Sequence, residues 1–392
     1  MEQEKKNILV LSVAQGLSIT TTNINMINTG LVGSILATDP SYATLPLSLQ
    51  FLTIAITLIP VSLLMGKIGR RPMFLIGAMA AFIGCSIIAY SIFNKVFFLF
   101  IVGSILLGFS QANQQFYRYA AADDVSIKLK SKAISLVLAG GLIAAIVGPE
   151  VSRYSFDFFP NYIYLATYIC AALIQIFNFG VLIFVNIKKP KPTKNSIRPL
   201  SKILMRKTFV IAILAASIGY SLMSFIMTAT PLQIVNVCKL GDSASATVIQ
   251  WHVIAMFAPS FFTGSIINFL GNRKVMMMGV LLYLISICVG VMGQTIEYFW
   301  ISLFLCGLGW NFLYVGGSDI IAKSALPEER AKVQGVTDFI IFTFVASGSF
   351  LAGSLHNYLG WEIMMFYTSI PIFILFMSII IIKPDGGIKA RY

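Results

Sequence analysis

Gln15, Ser18, Thr22, Asn25 and Thr29 step by three or four residues through an otherwise apolar stretch, which sets them on one face of a helix. Thr21 and Asn28 adjoin them. A denser group follows, with Gln111, Asn113, Gln114, Gln115, Tyr117 and Arg118 inside eight residues. A third apolar run carries Tyr220, Ser224, Thr228 and Gln233, and a fourth carries Trp310, Asn311, Tyr314 and Ser318. These are amides, hydroxyls and aromatic rings. They recognise a guest by hydrogen bonds and ring contact, and no Ser/His/Asp set or paired-His or paired-Asp cluster supports covalent or metal chemistry among them, so an enzyme is not expected. For any single Asn or Gln, a hydrogen bond to a neighbouring helix is the commoner explanation. For four stripes together, a shared polar cavity is the better one.

The elements that must carry these stripes are long and apolar. Gly66-Lys67-Ile68-Gly69-Arg70-Arg71-Pro72 is a basic turn between two charge-free runs, 43–65 and 73–93. Each run is long enough to cross a bilayer core as a helix, which takes roughly 20 residues. The turn is thus a tight hairpin held at one water interface. The pattern returns at Gly264, Gly271, Arg273 and Lys274, with Gly69 matching Gly271 and Gly77 matching Gly279 at an offset of 202 residues. An offset of about half of a 392-residue chain implies two related halves. Apolar residues make up 57% of the chain and charged ones 11%, about half the usual charged share.

The chain reads as twelve spans: 8–36, 44–65, 73–93, 96–121, 133–155 and 162–187, then 208–236, 246–268, 275–294, 298–322, 333–356 and 362–382. The predicted fold is an all-α polytopic membrane protein, with residues 1–187 and 208–392 forming two pseudo-symmetric six-helix bundles. Residues 188–207 form a basic linker with three Pro and eight Lys or Arg, and 201–207 suit a short helix lying on the membrane. Of the 28 Lys and Arg, 24 fall in one alternating set of loops and termini and only Lys95, Arg153 and Lys239 in the other, with Arg118 inside a span. That bias predicts both termini in the cytoplasm of a bacterial inner membrane. It also absorbs the net charge of +13, which otherwise suggests a nucleic-acid partner; the expected partners are instead the bilayer and a small solute. The chain has no cleavage-site pattern before its first helix, so that helix is expected to be retained. The five Cys have no metal-like spacing and read as small buried hydrophobes, Cys238 alone lying in a loop. No phosphate-binding loop appears, so neither a nucleotide nor any other cofactor is expected.

Few ionisable residues stand within the membrane, and Arg118, Glu150, Arg153, His252, Asp319 and Asp338 are the ones singled out. Glu150 and Arg153 are three apart on one helix and are placed to pair. Arg118 and Asp319 hold nearly equivalent positions in the two halves. Arg118 is expected to meet Asp319 or Asp338 across the halves when the inner face is shut; a static pair within one half is the alternative. A proton carrier needs a group whose charge is costly when buried, and Asp338, Glu150 and His252 qualify in that order. A lone His near a span end is more often a satisfied interface residue.

With twelve spans, two halves, a basic central loop and a repeated glycine–basic hairpin, the chain resembles the major facilitator superfamily over essentially its whole length. Lys67, Gly69, Arg70 and Arg71 match that family's hairpin motif, while Ser62 and Gly66 replace its first Gly and its Asp. In the second copy Gly264, Gly271 and Arg273 match and Asn268 replaces the Asp. The fifth span carries Gly140, Gly141, Gly148 and Pro149, similar to the family's antiporter signature, but Ser152 and Arg153 stand where its last glycines belong. Ser104 stands where drug exporters have an Arg. These departures argue against drug–proton exchange, and close packing of the fifth span against the opposite half accounts for its glycines.

The resemblance implies a secondary transporter whose first, fourth, seventh and tenth spans line a mid-membrane site. The four stripes lie on those spans. The site is then expected to include Gln15, Thr22, Asn25, Gln111, Asn113, Gln114, Gln115, Tyr117, Tyr220, Thr228, Trp251, Trp310, Asn311 and Tyr314. Such a lining is rich in amides and rings and poor in charge, with Arg118 its one deep cation, which suits a neutral or weakly charged polar solute and disfavours a sugar phosphate. Stretches such as 227–232 and 327–335 are similar to a bacterial branch of the superfamily. Uptake of a vitamin-like ring compound such as a flavin, coupled to protons and carried out by a monomer, is the expected function; efflux of amphipathic compounds is the open alternative, and a transporter-like sensor or membrane enzyme a remote one.

Overall fold

The computed structural model describes residues 2–123, 133, 136–187, 200–324 and 330–382. The predicted inner-loop charges Lys128, Lys130 and Lys132, most of the linker (188–199) and Lys383, Lys389 and Arg391 lie outside the described residues. Fifteen helices run in order among them: α1 (Glu2–Leu36), α2 (Leu45–Ile68), α3 (Arg70–Asn94), α4 (Phe97–Gln114), α5 (Tyr117–Asp123), α6 (Gly141–Ser155), α7 (Leu165–Leu182), α8 (Leu200–Leu204), α9 (Lys207–Pro231), α10 (Asp242–Phe257), α11 (Ser260–Leu270), α12 (Asn272–Met292), α13 (Ile296–Ser324), α14 (Arg330–Tyr367) and α15 (Ser369–Ile381). No strand appears among the described residues.

Ten helical stretches among the described residues are long and apolar enough to cross a membrane. One of them, Gly335–Ile381, holds two predicted spans, because Gly360 takes a φ of +74° and breaks the helix between them. The helix α1 is long enough but is not among the ten; its Asn, Gln and Thr stripe dilutes its hydropathy. With both adjustments, the predicted twelve-span architecture is the observed one.

The two hairpins repeat in detail. Gly69 (φ +99°) and Gly271 (φ +83°) each form the single-residue break between consecutive helices, and their N–H groups close the preceding helix on Met65 O at 3.0 Å and Ile267 O at 2.7 Å. A residue with a Cβ is strained at that φ, so the glycine is required. Gly66 and Gly264 differ: a Cβ on either would meet nothing within 4 Å. Each hairpin also ties an Arg to a helix end, Arg70 to Phe116 O at 3.4 Å and Arg273 to Ile380 O at 2.8 Å.

Two seams join the halves, α2 against α14 and α6 against α10, and α1 also leans on α9. Here one expectation is corrected. Of the α6 glycines, only Gly141 faces the other half, where a Cβ would lie 3.0 Å from the Phe257 ring. Gly140 and Gly148 pack on α1 in their own half, against Ser12 O and the Asn23 side chain. Successive helix residues point about 100° apart, so one helix wedged between two neighbours needs small residues on both faces.

Several spans are interrupted. The fourth breaks between α4 and α5, where Phe116 N–H bonds Asn113 O at 3.1 Å, one residue short of the α-helical partner. The seventh ends in a π-helical turn, Leu232–Val237, directly after Pro231. The eighth breaks before Ser260, at Pro259. Large apolar side chains such as Phe98, Phe177, Phe269 and Phe366 are exposed on the bundle surface, as helices bathed in lipid require. That also corrects the reading of the cysteines: Cys85 and Cys306 are buried, Cys170 and Cys238 are half-buried, and Cys288 is exposed. An apolar run marks lipid-facing positions as readily as protein-buried ones.

Candidate functional site

The aromatic residues predicted on the seventh and tenth spans converge. Trp310 and Tyr314, one turn apart on α13, stack with ring centres 4.9 Å apart and planes 12° apart. Tyr220 of α9 meets both edge-on, at 5.4 Å each. Phe257 of α10 approaches Trp310 at 5.9 Å, and Phe342 of α14 approaches Tyr220 at 5.4 Å. The result is an aromatic wall on the second half that faces the first. Its polar atoms are left over: the Trp310 Nε1, Ser224 Oγ and Thr228 Oγ1 are buried without a hydrogen-bond partner. A buried donor or acceptor without a partner costs roughly 1–3 kcal/mol.

Arg118 crosses to this wall from the first half. The break before α5 carries it there, and its guanidinium lies 3.5 Å from the Tyr314 hydroxyl, donates to the Tyr119 hydroxyl at 2.9 Å and sits 3.9 Å from the Asp338 carboxylate. Arg118 and Asp338 are both 8% exposed. The sequence offered Asp319 and Asp338 as partners, and the geometry selects Asp338. Asp319 instead accepts from Asn272 at 2.9 Å, within the second half.

The first half presents amides and hydroxyls. Tyr168 donates to Asn25 Oδ1 at 2.7 Å, Asn25 to Gln50 Oε1 at 2.5 Å, and Gln50 to Gln111 Oε1 at 3.0 Å. Beside this chain, Gln175 donates to Thr21 at 2.7 Å and Asn178 to Ser18 at 3.0 Å. A cavity of about 10 Å³ lined by Ser18, Thr22, Ser110, Gln114 and Gln175 lies among them, room for about one water. The atoms left without partners here include the acceptor Gln15 Oε1.

Other predicted residues lie elsewhere. Trp251 is 41% exposed and packs on Trp300, with ring centres 5.7 Å apart. Asn311 faces away from the wall, donating to Met256 O and Ser260 at 2.7 Å each. Asn113 fits against Gly77 and bonds Phe109 O at 2.9 Å; the Tyr117 ring packs edge-on against Phe74 at 4.6 Å, while its hydroxyl reaches Ser18 and Asn178 of the amide cluster. Gln115 occupies the break after α4, half-buried. The physical reason is common to all of them: a helix has a full circumference, and only one side of it faces the other half.

His252 is fully buried with Nδ1 2.6 Å from Leu303 O, while its Nε2 has no partner. Glu150 and Arg153 pair at 2.8 Å and also reach across the halves, Arg153 donating to Thr247 at 2.8 Å and Gln250 to Glu150 at 3.2 Å. Nearby, the Tyr164 hydroxyl donates to Asp242. These contacts gather at the basic-poor end of the bundle, and together they latch it. Among the described residues no three His, Cys, Asp or Glu side chains converge as a metal site requires.

Gln50, Gln175, Asn178, Tyr168 and Tyr119 were not singled out from the sequence. Gln50, and the pair Gln175 and Asn178 three apart, stand as lone amides in apolar runs, which is the signal that finds them; Tyr168 and Tyr119 carry no comparable mark.

The sequence profile of the Major Facilitator Superfamily matches residues 11–249 and 229–389. The chain is 37% identical over 388 residues to the riboflavin transporter RfnT of Brucella anthropi, covering 98% of this chain and 97% of that one. It is 27% identical over 386 residues to the uncharacterized MFS-type transporter YdeG of Bacillus subtilis, covering 90% and 86%. In fold it is similar to the human organic anion transporter MFSD10 (TM-score 0.71, 12% identity, 96% of this chain and 99% of that one). It is also similar to the transporter FucP in its outward conformation (TM-score 0.67, 14% identity, 96% and 99%).

Proposed function

The chain belongs to the Major Facilitator Superfamily, and from that premise we propose that it takes up riboflavin or a closely similar ring compound across the bacterial inner membrane. The observation that carries this reading is the aromatic wall of Tyr220, Trp310 and Tyr314 with its unpartnered buried polar atoms, facing an amide-lined half. A flat heteroaromatic ring suits stacking on such a wall, and the whole-length similarity to RfnT names a solute of that type. Both termini lie in the cytoplasm, and the two halves of a single chain rock about the site in alternation.

Protons supply the drive. Asp338 is the carrier, because its charge is held within the bundle by Arg118 at 3.9 Å. Protonation of Asp338 removes that attraction and frees the basic-rich end to open, while the Arg153, Glu150, Thr247 and Gln250 contacts latch the other end. The test is uptake of labelled riboflavin by a riboflavin-requiring bacterium that depends on this protein. Saturable accumulation that collapses on adding a protonophore supports the proposal, and Asp338→Asn is expected to retain exchange while losing protonophore-sensitive accumulation. Expulsion of lipophilic cations without riboflavin uptake would overturn it in favour of efflux.

A further inference from the structure

We propose that the two halves divide a flavin between them, the ring binding the second-half aromatic wall and the polyol chain binding the first-half amides. This rests on the riboflavin reading above and adds an orientation to it. The argument is one of donors and acceptors. On the wall, the Trp310 Nε1, which can only donate, is buried with no partner, beside the unpartnered hydroxyls of Thr228 and Ser224. On the amide side, Asn25, Gln50, Gln175 and Asn178 each donate bonds inside the half, Gln15 Oε1 is buried without a partner, and the Gln114 amide lines the small cavity.

A flavin has the matching asymmetry. Its ring is flat, with two carbonyl oxygens and two imine nitrogens that accept and one imide N–H that donates, so it asks for a stacking surface edged by a donor and by hydroxyls that can take either role. Its chain carries four hydroxyls on saturated carbons, each able to donate and accept, and has nothing to stack. The ring pairs with the Trp310 N–H and the neighbouring hydroxyls, and the chain with the amides, which answer hydroxyls in both directions. In the reverse orientation the chain hydroxyls would face ring surfaces and leave buried polar atoms unpaired. The small cavity beside Thr22, Ser110 and Gln114 lies among these amides.

The test is binding to the purified full-length protein, read by flavin fluorescence, with riboflavin, lumichrome (the ring without the chain) and ribitol (the chain without the ring). Stacking on an indole quenches flavin emission. The expected result is that bound riboflavin is quenched, that lumichrome displaces it competitively, and that ribitol alone displaces it only at far higher concentration. Trp310→Phe should relieve the quenching and weaken riboflavin and lumichrome alike, roughly tenfold for the loss of one buried hydrogen bond. Gln114→Leu should weaken riboflavin by a similar factor and leave lumichrome within twofold. If Trp310→Phe fails to purify folded, Thr228→Val reports on the same wall: riboflavin and lumichrome should weaken alike, with the quenching of bound flavin kept because the indole remains. The orientation is overturned if lumichrome does not compete, or if Gln114→Leu and the wall variant weaken both ligands equally. Absence of any riboflavin binding to the wild-type protein overturns the riboflavin reading itself, which keeps the two failures apart.

Discussion

In the first half, the chain Tyr168, Asn25, Gln50, Gln111 passes hydrogen bonds from helix to helix at 2.7, 2.5 and 3.0 Å. In the second half, the corresponding interior is a set of stacked and edge-on rings whose Trp310, Thr228 and Ser224 polar atoms bond nothing. Both interiors descend from the same repeated architecture, and they solve different problems. A chain of satisfied amides fixes side chains in place and specifies how α1, α2, α4 and α7 pack. A ring wall with unpartnered polar atoms gives up stability instead. Related folds therefore carry different interiors, one a hydrogen-bonded amide chain and the other a set of packed rings.

Substitutions sharpen or break that contrast. The largest effect is expected at the one residue that links the two interiors. Arg118→Leu leaves Asp338 buried and unpaired, a change that costs about 3–5 kcal/mol when a buried pair loses one partner, and it should abolish riboflavin accumulation and lower the melting temperature of the purified protein. The double variant Arg118→Leu with Asp338→Leu should recover much of the thermal stability and none of the transport; recovery of both would reduce the pair to scaffolding.

Next comes Gln50→Leu, which strands Asn25 and Gln111 together. At roughly 1–3 kcal/mol for each polar group left without a partner, the melting temperature of the purified protein should fall well below wild type. A wild-type melt would show that this amide chain does not hold the first half together. The converse substitution is Thr228→Val on the wall. Removing a buried hydroxyl that has no partner should leave stability equal or slightly raised, measured by the same melt, while riboflavin binding weakens. The smallest effect is expected at Trp251→Phe: this ring sits on Trp300, 41% exposed, and uptake should stay within about twofold. The cross-half latch lies between these extremes. Thr247→Val removes one bond from a partly exposed ion pair, and such pairs contribute at most about 1 kcal/mol, so a modest change in the access rate of a cysteine reagent at the basic-poor end is the expected readout.

How much of this was legible in the chain varies residue by residue. Gln15, Thr22, Tyr220, Thr228, Trp310 and Tyr314 were readable as candidates because polar or aromatic residues at helical spacing in an apolar run have few explanations. Asn311 and Trp251 satisfied the same rule and lie elsewhere, since adjacency to Trp310 or presence on the eighth span says nothing about which side of a helix meets the other half. Asp319 and Asp338 were equal candidates for Arg118, because sequence position does not show that Asp338 comes within 3.9 Å of Arg118 while Asp319 accepts from Asn272. Gln50 escaped notice as a lone amide, yet it is the middle link of the first-half network.

The sequence by itself determined the number of spans, the twofold repeat, the glycine at each hairpin and the superfamily. These follow from local rules: the apolar length a bilayer demands, the φ that only glycine accepts without strain, and the hydropathy and charge of successive segments. Only the tertiary structure decided which carboxylate answers Arg118, which amides are spent on packing and which ring wall is left incomplete. Those outcomes depend on the rotation of each helix about its own axis, and that angle is fixed by neighbours on other helices rather than by the segment itself.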